Sequence, residues 1–334
     1  MRARSGRPAL SALSPAARDK VPRIREARVG VFGNRRPGSG ILSPMQTPPF
    51  DFAHENLPLA PLTLYNIGGP ARWALVPRTA EELHDSYRWM AAQDARRLVL
   101  GGGSNVLISD AGFPGIVLFT TGLMQFEDFG NGRYYIGAGH ELFWLVREVM
   151  LPHNYEGVGG LTGIPGSVGG AIYMNAGTVN GWTCQYMESV DLMGPDGPRT
   201  VAMRDDLYSY RGQFFCQPGD VILGGVFQFA VSERDQRALH EHYMKRRREK
   251  QPPGHSCGSV FKNPEGDHAG RLIESCNLKG TRHGGAVISE MHANFIINDN
   301  NATFADVMAL IALVKKTVQE QHGVLLEEEV RIIQ

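Results

Sequence analysis

Gly159-Gly160-Leu161-Thr162-Gly163-Ile164-Pro165-Gly166-Ser167-Val168-Gly169-Gly170-Ala171 packs six glycines into thirteen residues, with branched apolar side chains between them. Flexible linkers are rich in Gly and Ser but lack Ile, Val and Pro, so this segment reads as ordered and buried. Glycine at this density permits positive φ and lets backbone come close to a flat or extended ligand. The competing explanation is tight packing between two domains.

Upstream, a helix is expected over 140–151. Before it, Arg97-Leu98-Val99-Leu100 reads as a short buried strand running into Gly101-Gly102-Gly103-Ser104-Asn105. Consecutive small residues there let N–H groups turn inward as an anion-binding nest, with Ser104 and Asn105 adding side-chain donors. A plain tight turn explains three glycines nearly as well, and neither the P-loop nor the Gly-x-Gly-x-x-Gly pattern is present. Two such loops about 60 residues apart favour a cofactor with a long diphosphate.

Around these loops the chain alternates strand and helix signals. Thr79-Ala80-Glu81-Glu82 is a capping-box pattern that opens a helix through Ala92. Val106–Ile108 and Gly115–Phe119 read as further strands, followed by Tyr134–Ile136 and Val221–Phe229 between Gly/Pro/Asp turns. A charged helix spans Ser232–Lys250, and a last helix starts at Thr303, with Asp306 three residues on and Gly323 as its stop. Its stripe of Phe304, Val307, Met308, Ile311, Val314 and Val318 is a core face.

The 334 residues include 40 glycines, well above the usual ~7%. The 34 basic and 34 acidic side chains cancel, which weighs against a general nucleic-acid or anionic-membrane binder. The balance is uneven: residues 1–44 carry ten basic and two acidic groups, and the other 290 carry 24 and 32. The first 44 residues read as a basic, disordered extension. A transit-like peptide and a basic interaction arm are the functional readings, and an extension with no role is favoured because Met45 stands just before the first patterned sequence. No apolar run is long enough to span a bilayer. Four scattered cysteines (Cys184, Cys216, Cys257, Cys276) form no C-x-x-C pair, so reduced thiols and a cytoplasmic location are expected. His240-x-His242 lies among charges and reads as a solvated face, so no metal site is expected.

The Gly101–Asn105 loop with Val-Leu-Ile, the Gly163–Ala171 segment, Tyr210-Arg211, Gly258-Ser259-Val260-Phe261-Lys262-Asn263-Pro264 and Glu329-Val330-Arg331-Ile332-Ile333 occur in that order. Together they resemble the UDP-N-acetylenolpyruvoylglucosamine reductase (UDP-N-acetylmuramate dehydrogenase) family, flavoenzymes of bacterial peptidoglycan precursor synthesis. The resemblance runs from about Leu59 to Ile333. The short form of the Ser259 motif is similar to the family's second structural type.

The resemblance implies an α+β protein, with a two-lobed FAD-binding fold of the vanillyl-alcohol-oxidase (PCMH) type and a C-terminal α/β substrate-binding domain. The expected divisions are 45–121 and 122–231 for the two lobes and 232–334 for the substrate domain, with the final strand returning to the active site. FAD is expected to bind non-covalently to Gly101, Gly102, Gly103, Ser104, Asn105, Gly163, Ile164, Gly166, Ser167, Gly169 and Gly170, with Val168 nearby. NADPH is the implied hydride donor to a sugar-nucleotide substrate, and the protein is expected to be a monomer. Arg211, Glu329 and Ser259 are the implied catalytic residues. Arg211 forks onto the developing carboxylate charge, a protonated Glu329 donates to the same group, and Ser259 protonates the carbon. Lys250, Asn263, His292 and Tyr210 are implied substrate contacts.

Each has a plainer explanation. Arg211 suits a surface loop, Glu329 ends a run of three glutamates, Ser259 follows a turn glycine, and Lys250 extends a basic run. Two positions depart from the family: Gln213 stands where a Ser is usual, and Asn66 where a basic residue is common. The rival readings are an alcohol or sugar-lactone oxidase of the same fold, and a non-catalytic nucleotide-sugar binding protein.

Overall fold

The computed structural model describes residues 45–334, so the expectation for 1–44 lies outside the described residues. The first sheet contains β1 (Ala53–Pro58), β2 (Pro70–Leu75), β3 (Arg97–Leu100) and β5 (Phe113–Phe119), in the order β1-β2-β5-β3. β4 (Val106–Ile108) lies between β3 and β5 in sequence but pairs elsewhere. β5 is parallel to both neighbours, and its apolar run is buried on both faces, as a central parallel strand requires. Helix α1 (Ala80–Ala92) starts where the capping signal placed it, with the Thr79 side chain accepting from Glu82 N at 3.1 Å. The Glu82 carboxylate reaches back to Arg78 N at 2.6 Å, one residue upstream of the usual box partner.

The second sheet is antiparallel, with strands in the order Gly197–Ala202, Met187–Gly194, Val221–Gln228, Arg133–Gly137, Phe126–Gly130. The helix expected over 140–151 is shorter in its α-helical part, Leu142–Trp144, and then widens. Leu151 N bonds Val146 O at 2.9 Å and Tyr155 N bonds Met150 O at 3.0 Å, both i→i−5. The wider turns keep Leu142, Leu145, Val146, Val149 and Met150 together in the core. One continuous core joins this region to the inner face of the first sheet.

The charged helix begins at Gln236 rather than Ser232, because Asp235 caps it by accepting from Ala238 N at 3.0 Å. The last part of the chain holds a three-stranded sheet covered by helices Ala269–Ser275 and Phe304–His322. The latter carries the full capping box, and Gly323 takes φ +69 at its end. This core also takes in Tyr65, Ile67 and Leu107 from the first part of the chain. The strand Arg331–Ile333 leaves it and pairs in parallel with β4, placing Ile333 in the core under the first sheet.

Candidate active site

A cavity of about 560 Å³ opens where these three parts meet. All five residues of Gly101–Asn105 line it, with Gly163, Ile164, Ser167, Gly169 and Gly170 from the second loop. Gly166 does not line the cavity but seats the two loops together. A Cβ there would lie 2.4 Å from Ser104 Oγ, and one on Gly101 would lie 2.5 Å from Ser167 Oγ. Gly103 has φ +62, and a Cβ on it would meet Leu62 O at 2.0 Å. Ser167 Oγ accepts from both Gly102 N and Gly170 N at 3.2 Å, locking one loop to the other. The second loop is thus ordered and largely buried, as its branched residues require.

A second hollow of about 480 Å³ shares Leu64, Gly101 and Gly102 with the first. The two spaces therefore adjoin across the first glycine loop, a shape suited to an elongated ligand draped over backbone.

Arg211, Ser259 and Glu329 all line the larger cavity. Arg211 lies in the two-residue connection between Tyr208–Ser209 and Gly212–Gln213, and takes φ +54, which is uncommon for a residue with a side chain. Its Nη1 donates to Gly177 O at 2.9 Å, and its Nε lies 2.7 Å from Glu329 Oε1. Gln213, the family departure, accepts from Cys216 N through Oε1 at 2.7 Å and so closes the next turn. Asn66, the other departure, holds φ +53 at a turn, a conformation that Asn tolerates well.

The glutamate run does not behave as one solvated patch. Glu327 pairs with Lys262 at 3.2 Å, Glu328 with Lys315 at 2.7 Å, and only Glu329 turns inward, with 13% of its side chain exposed. Burial holds the Glu329 carboxyl above the usual carboxylate range, although Arg211 and Lys262 both pull it down. Ser259 follows Gly258, which takes φ +80. The next two residues are clamped by Asn294: Val260 N donates to its backbone O at 2.8 Å and Phe261 N to its Oδ1 at 2.9 Å. Asn294 Nδ2 returns a bond to Phe261 O at 2.8 Å.

The four expected substrate contacts stand outside the cavity lining. Lys250 is exposed at the end of its helix. Tyr210 is half exposed, with the Arg211 guanidinium carbon 5.3 Å from its ring centroid. Asn263 accepts from Ala269 N at 3.1 Å. His292 packs on Phe295 with ring centroids 4.8 Å apart, and burial lowers its pKa.

Two arginines that the sequence reading passed over do line the cavity. Arg247 lies beneath Gly163, where an added Cβ would sit 2.6 Å from its Cδ; burial and the nearby Arg211 lower its pKa. Arg331 carries a buried Nε without a hydrogen-bond partner. His240 is also no solvated residue: it is half-buried, and its Nδ1 lies 3.0 Å from Thr162 Oγ1.

Residues 71–201 match the family model described as FAD binding domain, and residues 249–333 match that for the C-terminal domain of UDP-N-acetylenolpyruvoylglucosamine reductase. The fold is the two-lobed FAD-binding α+β fold of the vanillyl-alcohol-oxidase type with an added C-terminal domain, and its class is flavin-dependent oxidoreductase.

The UDP-N-acetylenolpyruvoylglucosamine reductase of Desulfosudis oleivorans is 39% identical over 292 residues, covering 83% of this chain and 93% of that protein. That of a Synechococcus species is 36% identical over 304 residues, covering 88% and 96%. The crystal structure of the enzyme from Thermus caldophilus superposes with a TM-score of 0.70 at 34% identity, over 84% of this chain and 98% of that one. The chain belongs to the UDP-N-acetylenolpyruvoylglucosamine reductase family.

The residues present fit FAD. The interlocked loops offer backbone that no Cβ could replace, and the two adjoining hollows match a long dinucleotide.

Proposed function

We propose that this chain reduces UDP-N-acetylglucosamine enolpyruvate to UDP-N-acetylmuramate with NADPH as donor, in the cytoplasm and as a monomer. The carrying observation is that Arg211, Ser259 and Glu329, from three distant segments, line one cavity with the two glycine loops. The bound FAD supplies hydride transfer from NADPH to the terminal vinyl carbon of the substrate. The Gly101–Asn105 and Gly163–Gly170 segments hold it without a covalent bond. The larger cavity's lining contains no histidine among the described residues, the adjoining hollow contributes only His54, and burial pushes the one thiol, Cys257, up to about 12.

Addition at the vinyl carbon drives negative charge onto the α-carbon and its carboxylate. Arg211 faces that charge as a permanent cation. When the substrate carboxylate takes Arg211 as its counter-ion, Glu329 loses part of the attraction that lowers its pKa, and burial then keeps it protonated. In that form it donates a hydrogen bond to the carboxylate. Ser259 delivers the proton to the α-carbon and regains one from its surroundings. The double bond thus gains one hydride and one proton. Arg247 and Arg331 add positive charge to the cavity wall, where an anionic substrate and cofactor meet.

The test is an anaerobic two-stage experiment on the purified protein. NADPH should bleach the flavin, and the enolpyruvyl sugar nucleotide should restore its colour. A flavin that NADPH bleaches and only oxygen restores would favour the oxidase reading, and a colourless protein would remove both. Size-exclusion chromatography with light scattering should give a mass near 36.7 kDa.

A further inference from the structure

Asn105 lines the cavity, yet its amide is directed at the protein. Nδ2 donates to the backbone O of Glu329 at 3.0 Å and lies 3.8 Å from Met174 Sδ. Its own backbone O accepts from Arg331 N at 3.0 Å. One residue of the cofactor loop therefore grips the chain on both sides of Val330, across 224 residues of sequence.

The same short stretch is held from the other side. Glu329 N donates to Val260 O at 2.7 Å, and Val260 is the residue after Ser259. Glu329 is thus stretched between the glycine loop and the Ser259 loop. Beyond it, Arg331–Ile333 runs parallel to Val106–Ile108. Without the Asn105 side chain, the Glu329 carbonyl loses its donor from the cofactor loop, while Glu329 N keeps Val260 O and Arg331 N keeps the backbone O of Asn105.

We propose that Asn105 is the positioning residue for Glu329: it ties the acid's backbone to the cofactor loop and sets how deeply the carboxyl is buried against Arg211. This rests on the function proposed above and adds to it a physical link between the cofactor seat and the second half-reaction. A side chain acting only as a cofactor donor would have its amide free for the ligand; here the amide is engaged in the protein itself.

The experiment uses Asn105→Ala and the milder Asn105→Ser in the flavin-loaded enzyme. Reoxidation by the enolpyruvyl substrate should slow about tenfold in Asn105→Ala, the effect of one hydrogen bond at the upper end of its range, and by more than reduction by NADPH slows. The alkaline limb of the reoxidation rate should move to lower pH, because a looser Glu329 is better solvated. Hydrogen exchange at the amides of Arg331–Ile333, measured without substrate, should speed up by a similar factor. Asn105→Ser should shift each readout in the same direction by less, which covers the case of Asn105→Ala failing to fold. The proposal is overturned if flavin affinity falls tenfold while the pH limb and exchange stay at wild-type values, for then Asn105 is a cofactor donor. Equal slowing of both half-reactions with an unmoved pH limb overturns it too. Failure of the wild-type protein to be reoxidised by substrate would instead remove the function itself and leave the exchange result to decide the brace.

Discussion

The cofactor cradle and the proton-delivering corner face the same cavity but are built in opposite ways. The cradle is backbone: two contiguous glycine stretches that touch through Ser104 and Ser167, with no room for a Cβ at Gly101, Gly103 or Gly166. The corner is side chain: Arg211, Ser259 and Glu329 come from separate segments, Arg211 held by its own bond to Gly177 O, Glu329 by its backbone, and Ser259 by the bonds of Val260 and Phe261. A contiguous backbone device tolerates almost no substitution. A dispersed side-chain device loses one function at a time, and this difference can be tested.

The largest effect is expected at Ser259. Ser259→Ala should slow substrate-driven reoxidation by about 10²–10⁴-fold, the scale of general acid catalysis, while flavin reduction by NADPH stays near normal. Stopped-flow measurement of the two half-reactions decides it, and equal losses would make Ser259 structural. On the cradle side, Gly103→Ala should remove flavin outright, since its Cβ would fall 2.0 Å from Leu62 O at a φ of +62. Flavin absorbance per purified chain should drop at least tenfold, and a fully yellow variant would break the comparison.

Glu329 should impose a pH dependence. Its carboxyl is held above the ordinary range by burial, so the protonated form exists below that raised pKa and is lost as pH rises through it. Reoxidation should therefore fall on the alkaline side, and the group's contribution to stability should fade in the same direction. Glu329→Gln keeps a neutral donor, so it should abolish this limb while staying within about tenfold of the wild-type plateau.

The smallest stability effect is expected at Arg211. A left-handed non-glycine residue costs about 1–2 kcal/mol, and glycine's added unfolded-state freedom gives back about 0.5–1 kcal/mol of that. Arg211→Gly should thus leave Tm within about 3 °C of wild type by calorimetry while turnover falls about 10²-fold or more.

What was legible in the sequence follows the same division. The glycine loops, the strands beside them and the capped helices at Thr79 and Thr303 are local signals, and each appears in the structure. The corner became legible only through several short motifs in fixed order, because no local property distinguishes Glu329 from Glu327 and Glu328. What separates them is the partner each one meets in the fold.

Arg247 was hidden for a related reason. In a helix ending Arg246-Arg247-Arg248-Glu249-Lys250, composition marks every residue as solvated. Yet His240, Tyr243, Met244 and Arg247 fall at helical spacing on one stripe, which packs on Thr162, Gly159 and Gly163. Lys250, three residues past Arg247, reaches solvent instead. Asn294 had a signal of its own, a polar residue between Ala293 and Phe295, and burial turned it into the clamp beside Ser259.

The pairing of Arg331–Ile333 with Val106–Ile108 gives the enzyme a sense of time. A nascent chain meets its glycine loops first and the anchor of Glu329 only among its last residues, where Arg331–Ile333 pairs with Val106–Ile108. The contact spans 224 residues and is secured by a three-residue strand, which makes it costly to close and easy to open. On heating, this strand should detach ahead of the cores it joins, and turnover should disappear while the protein is still folded and still yellow.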